Sequence, residues 1–141
     1  MIANFNTMSK VFKECNKLYF NSSLPMPEFG TINKLNTLAK FVYNKNKKGK
    51  YPIKWQSIKF SDCYDYTEED FIDIMVHEMI HYYIALNGIK DNKDHGKNFM
   101  KIANELNEKY NLNIAQTKDA SSFKRTEKAP KYKGLFKILF G

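Results

Sequence analysis

The stretch from Thr67 to Gly88, TEEDFIDIMVHEMIHYYIALNG, decides how the rest of the chain is read. Thr67 is a residue type that caps a helix start. Glu68, Glu69 and Asp70 then place negative charge in the first turn, where the helix dipole favours it. The helix reads to about Leu86 or Asn87, with Gly88 as its natural stop. The spacing predicts one long helix. Inside it stands His77-Glu78-Met79-Ile80-His81, an H-E-x-x-H pattern. Four helical residues advance about 6 Å and turn by about 400°, so both imidazoles leave one face and can share one metal ion. Glu78 flanks them without joining the ligands, where it can take a proton from a metal-bound water.

A catalytic zinc needs three protein ligands and one open position. The chain has 3 histidines in all. The third, His95, follows the polar loop Lys90 to Asp94 and opens a second helical stripe of Phe99, Ile102, Ala103, Leu106 and Tyr110. A helix, a turn and a returning chain would bring all three rings to one site. An acidic third ligand is the alternative, and Asp91 and Asp94 are the residues available for it.

Outward from this pair of helices the chain reads as α+β. Met8, Val11, Phe12, Cys15, Leu18 and Tyr19 recur at helical steps and predict a helix from about Thr7 to Phe20, stopped by Asn21-Ser22-Ser23. Pro25 and Pro27 keep the following stretch extended. Thr37 to Tyr43, with Leu38 and Val42 on one face and Ala39, Phe41 and Tyr43 on the other, and Trp55 to Ser61, with Ile58 and Phe60 opposite Lys59, predict two strands of a β-hairpin. Between them Asn44 to Lys54 is polar and lysine-rich, broken by Gly49 and Pro52. One domain is expected over residues 1–115, followed by a basic tail over 116–141 in which Gly134 to Phe140 turns apolar again.

With 141 residues, 43% hydrophobic, the chain can bury one ordinary core without a covalent staple. Its apolar runs are too short to span a membrane, and its N-terminus lacks the basic start and apolar stretch of a secretion signal. A cytoplasmic protein with no membrane partner is therefore expected. Cys15 and Cys63 form no CxxC pair and read as two small buried residues, with a disulfide as the alternative. The net charge of +8 is uneven: residues 1–115 carry 16 basic and 13 acidic side chains, residues 116–141 carry 7 and 2. Between Glu28 and Asp62 there are eight lysines and no acid. Such a field attracts nucleic acid or another polyanion, with a merely solvated surface as the alternative; the Lys45 to Lys54 hairpin and the C-terminal tail are the candidate DNA contacts.

Several of these blocks resemble the SprT-like family, relatives of the Spartan protease. Phe20-Asn21-Ser22-Ser23-Leu24-Pro25 is similar to the segment that closes the family's first helix, and Ile58-Lys59-Phe60-Ser61 to the strand before its active-site helix. His77-Glu78-Met79-Ile80-His81-Tyr82 and His95-Gly96-Lys97-Asn98-Phe99 resemble its two metal-binding blocks. The resemblance implies a small zincin-like domain, zinc held by His77, His81 and His95, and Glu78 as the catalytic base of a metalloprotease. The best-known relatives degrade proteins crosslinked to DNA. Many of them carry a cysteine-rich zinc ribbon after the protease core, and here the basic hairpin and tail are the candidates to replace it. A substrate is expected to lie extended along Ile58 to Ser61, adding a strand to the sheet edge. The oxyanion partner is expected among Tyr64, Tyr66, Tyr82 and Tyr83. Two alternatives stand beside this reading. One is a protease with no DNA-linked role. The other is a non-catalytic, metal-stabilised binding or regulatory module, against which Glu78 argues, because a structural site does not need it.

Overall fold

The computed structural model describes residues 1–43 and 56–130. The basic loop and the apolar stretch from Gly134 to Phe140 lie outside the described residues. The element order is α1 (Phe5–Tyr19), β1 (Glu28–Ile32), β2 (Ala39–Val42), β3 (Ser57–Ser61), β4 (Tyr64–Asp65), α2 (Glu68–Leu86), α3 (Lys97–Tyr110) and β5 (Lys124–Arg125). It is a small α+β domain of the zincin-like kind.

The helix α2 forms as its sequence dictates. The Thr67 side chain accepts the Asp70 backbone N–H, and the three acids occupy the first turn. Gly88 takes φ 64°, the left-handed geometry that ends a helix and that glycine adopts without strain. Buried residues appear all round α2 instead of along one stripe, from Phe71 and Ile74 through Met75, Val76, Met79 and Ile80 to Tyr82. A helix apolar on every side is a central helix. Here α1, α3 and β2 all pack against it.

Two aromatic contacts seat α2 on the sheet. Phe71 stacks on Phe60 with ring centroids 4.5 Å apart, and Tyr82 stacks on Phe41 at 5.3 Å. Burying an aromatic ring of this size stabilises by about 1.5–3 kcal/mol. His77 and Glu78 lie between these two anchors, so the sheet contacts fix how far the metal motif sits below β2.

The main sheet has the order β1-β3-β2. The expected β2–β3 hairpin pairing is present and antiparallel, with Phe41 opposite Ile58. An extra strand, β1, pairs parallel to β3 with Phe29 opposite Ile58. Its sequence hides it, because Gly30 interrupts the run and Pro25 and Pro27 precede it. This corrects the expected substrate edge. The strand from Ile58 to Ser61 is central, paired on both sides, and the free edge facing α2 belongs to β2.

In α1 the apolar stripe is buried from Met8 to Cys15, whereas Tyr19 is half-buried and Leu18 is 59% exposed. Asn16 turns inward nearby, and its amide exchanges two hydrogen bonds with the Leu24 backbone, which pins the turn after α1. Cys15 and Cys63 are both buried and free. Residues 116–130, the first part of the segment expected as a tail, lie along the domain. Phe123 packs edge-on against Tyr64 at 5.7 Å, the Thr126 backbone N–H donates to the Cys63 carbonyl, and β5 pairs with β4. No helix among the described residues is long and apolar enough to cross a membrane.

Candidate metal centre

His77 and His81 leave the cleft face of α2 one turn apart, and their ring centroids are 5.1 Å apart. His95 comes from the turn before α3, with its centroid 4.9 Å from His77 and 5.1 Å from His81. One ligand nitrogen from each ring lies within 4.8 Å of the others. The Nε2 atoms of His77 and His95 are 3.1 Å apart. Two nitrogens on a tetrahedral zinc at about 2.0–2.1 Å would be separated by roughly 3.3 Å. The donor set therefore fits a divalent ion of zinc's size and preference for imidazole.

Protonation favours the same use. Burial lowers the His77 pKa to about 4, and the neighbouring His81 and His95 rings add to the effect. Burial, then His95, also lowers His81. Neutral imidazoles are the form that binds a metal. The His77 Nδ1 lies 2.8 Å from the Ala115 carbonyl. A carbonyl can only accept, so the proton sits on Nδ1 and the Nε2 lone pair is left facing the other two rings.

Glu78 is buried, 6% exposed, and its Oε2 lies 3.9 Å from His77 Nε2. Burial pushes its carboxyl up to about 8, and the Asp94 charge adds to the rise. The Phe41 backbone N–H, donated to the Glu78 carboxylate, works the other way. Leu38 turns its backbone inward, its carbonyl accepting the Ser61 N–H at 2.7 Å. Because successive strand residues point their N–H and C=O groups to alternate sides, Ala39 directs its backbone groups outward, over the cleft.

Beneath the rings lies Phe99, fully buried in the first turn of α3. Its ring centroid is 4.9 Å from His77, 4.6 Å from His81 and 4.8 Å from His95. It is the shared floor of the triad, a role not visible from its place in a helical stripe.

The acidic alternatives take other roles. Both oxygens of Asp91 accept backbone N–H groups at the start of α3, from Asn98 and Phe99. This holds the Asp91 carboxyl below the usual range. Gly96 lies so close that an added Cβ would be 2.7 Å from the Asp91 side chain. Asp91 thus fastens the turn that carries His95. Asp94 is exposed and stands outside the three-histidine group.

The four tyrosines are built into the body of the domain. Tyr64, Tyr66 and Tyr82 donate their hydroxyls to the carbonyls of Leu35, Ser61 and Pro25. Tyr83 faces Phe20, with centroids 6.1 Å apart, in a groove that also takes in Tyr19 and Leu86. None lines the cleft at the triad, whereas Tyr43, beyond the end of β2, does.

The cleft itself runs past the triad on both sides. One part, about 390 Å³, lies between Leu38–Ala39 and residues 113–119, with Ile74, His77 and Glu78 in its floor. The other, about 760 Å³, extends along Phe41 and Tyr43 toward Gly88 and His95. Gln116 borders both.

A family model described as SprT-like matches residues 8–119. The chain belongs to the SprT-like family. No curated protein matches it. The SprT-like match takes in all three histidines, Glu78 and most of the wall that Gln116 belongs to. What sets this member's site apart from a bare sequence motif is the set of groups behind the ligands: Phe99, Asp91 and the Ala115 carbonyl.

Proposed function

We propose that the chain is a zinc-dependent metalloendopeptidase. The observation that carries this reading is the convergence of three imidazole nitrogens within 4.8 Å, beside a buried carboxylate and below a free strand edge. His77, His81 and His95 would hold the ion. When bound, zinc supplies Lewis-acid polarisation of a peptide carbonyl and lowers the pKa of water to near 7. Glu78 accepts the proton of the attacking water and returns it to the leaving amine. The neighbouring Phe41 N–H favours its charged form. The substrate backbone lies extended along the outer edge of β2 and pairs with Ala39, so that sequence preference falls to the pockets on either side.

The test is digestion of an unfolded protein substrate by the zinc-loaded chain, with Glu78→Gln and a chelated sample alongside. Glu78→Gln should bind zinc as the parent does and lose cleavage by about 10²–10⁴-fold, the range for removing a general base. Cleavage at the parental rate in that variant would remove Glu78 from the mechanism.

The charge distribution supports a second element, that the substrates are proteins bound or crosslinked to DNA in the cytoplasm. Lysines dominate residues 45–54, and Lys124, Arg125 and Lys128 are exposed on the segment that follows the cleft. Affinity for DNA should then fall steeply with salt, and cleavage of a DNA-binding protein should rise when DNA is added. Cleavage indifferent to DNA would leave a protease with other targets.

A further inference from the structure

Residues 113–118 form an arch over the cleft, and both ends of the arch close on one carboxylate. The Asn113 backbone N–H donates to Asp73 Oδ1 at 3.1 Å. Five residues later, Lys118 Nζ reaches Asp73 Oδ2 at 3.4 Å and Asp70 Oδ1 at 3.1 Å. Asp73 is 9% exposed and sits on α2 four residues before His77, on the same face. Between the two ends, Asn107 exchanges two hydrogen bonds with the Ile114 backbone, and Ala115 accepts from His77 Nδ1. The arch therefore begins and ends on α2 one turn from the ring it holds.

We propose that Asp73 is a positioning residue for the metal centre, acting through the arch to fix the tautomer and direction of the His77 ring. This rests on the reading that His77, His81 and His95 hold the ion. The reasoning is geometric. Nothing in the arch except Ile114 is buried between residues 113 and 118, so core packing does little to hold its crown. Its shape comes from the Asp73 and Asn107 ties. If the Asp73 ties are cut, the Ala115 carbonyl loses its fixed place, and His77 can present N–H instead of a lone pair to the metal. The same movement would shift Gln116, which borders both parts of the cleft beside His77 and Glu78. Lys118 contributes by neutralising Asp70 and Asp73 together, so the arch is tied by charge as well as by the backbone.

Three variants separate this role from a purely structural one. Asp73→Ala removes both ties, Asp73→Asn keeps an acceptor for the Asn113 N–H and loses the charge, and Lys118→Met removes only the ion pairs. Two measurements apply to each. One is zinc affinity by competition with a chelating dye. The other is the ¹H–¹⁵N spectrum of the imidazoles in the metal-free protein, which reports the His77 tautomer without any turnover.

Asp73→Ala should weaken zinc by about 10–100-fold, the loss typical for an outer-shell partner, and convert a single His77 tautomer to a mixture. Asp73→Asn should recover part of the affinity and most of the Nδ1–H signal. Lys118→Met should weaken zinc by less than about 5-fold, in line with a partly exposed ion pair. Folded variants with parental zinc affinity and an unchanged His77 signal would overturn the proposal. Should Asp73→Ala fail to fold, parental values in both Asp73→Asn and Lys118→Met would overturn it equally. If the parent chain binds no zinc, or His77→Ala binds as well as the parent, the metal-centre reading itself fails and takes this inference with it.

Discussion

Two regions hold the His77 ring, one from each side, and they are built in opposite ways. On one side is α2, packed by Phe71 on Phe60 and Tyr82 on Phe41 and buried all round. On the other is the arch of residues 113–118, polar, mostly exposed and tied by a few hydrogen bonds to Asp73 and Asn107. The helix sets where the ligand side chains start. The arch sets which nitrogen of His77 faces the other two rings. A position fixed by burial resists small changes, because many contacts share the load. A position fixed by three or four polar ties can be released by one substitution at modest cost to the whole. The site thus combines a rigid half and a releasable half.

The largest effect expected on this comparison comes from the helix side. His81→Ala removes a ligand directly, and zinc affinity measured by chelator competition should fall by more than the roughly 10–100-fold typical of outer-shell losses. A fall no larger than that of Asp73→Ala would erase the distinction between the two halves.

Next comes the packing beneath the helix. Phe71→Ala empties a fully buried ring position between Phe60 and Tyr66, and should cost about 3–5 kcal/mol in urea unfolding. That loss should be global, speeding amide exchange throughout α2 and the sheet. A change of under about 1 kcal/mol would mean that the seat of α2 lies elsewhere.

The smallest effect belongs to the arch. Asn107→Ala deletes the two bonds to Ile114 and should cost about 1–2 kcal/mol. Hydrogen exchange should rise chiefly at residues 113–117 while α2 keeps its protection. Equal deprotection of α2 would show that the arch is not an independent unit but part of the central core.

The same contrast explains what could be read from the sequence. The helix announced itself, because Thr67, the acids after it and Gly88 act locally, and because the four-residue spacing of His77 and His81 puts both rings on one helix face. The family match takes in this helix, and its two histidines join His95 in a group that could hold a metal ion. The strand β1 did not announce itself, since Gly30 and two nearby prolines weaken the strand pattern and only the pairing with β3 makes it a strand. Missing it made β3 look like an edge, which misplaced the expected substrate path. The tyrosines were chosen by nearness in sequence, yet the hydroxyls of Tyr64, Tyr66 and Tyr82 are taken by backbone carbonyls and Tyr83 faces Phe20. The Ala115 carbonyl had no signal at all, because every residue owns one. Asp73 did have a signal: it lies one turn before His77 on the helix face that carries the motif.

Phe99 is at once a core residue and the surface on which all three imidazoles rest. Were the three rings to hold an ion, its occupancy and the integrity of the interior would be linked quantities. A ligand that binds only the folded chain raises its melting temperature with its own free concentration, by mass action. A zinc titration should therefore raise the melting temperature, and a variant that loosens α3, the helix carrying Phe99, should blunt that rise.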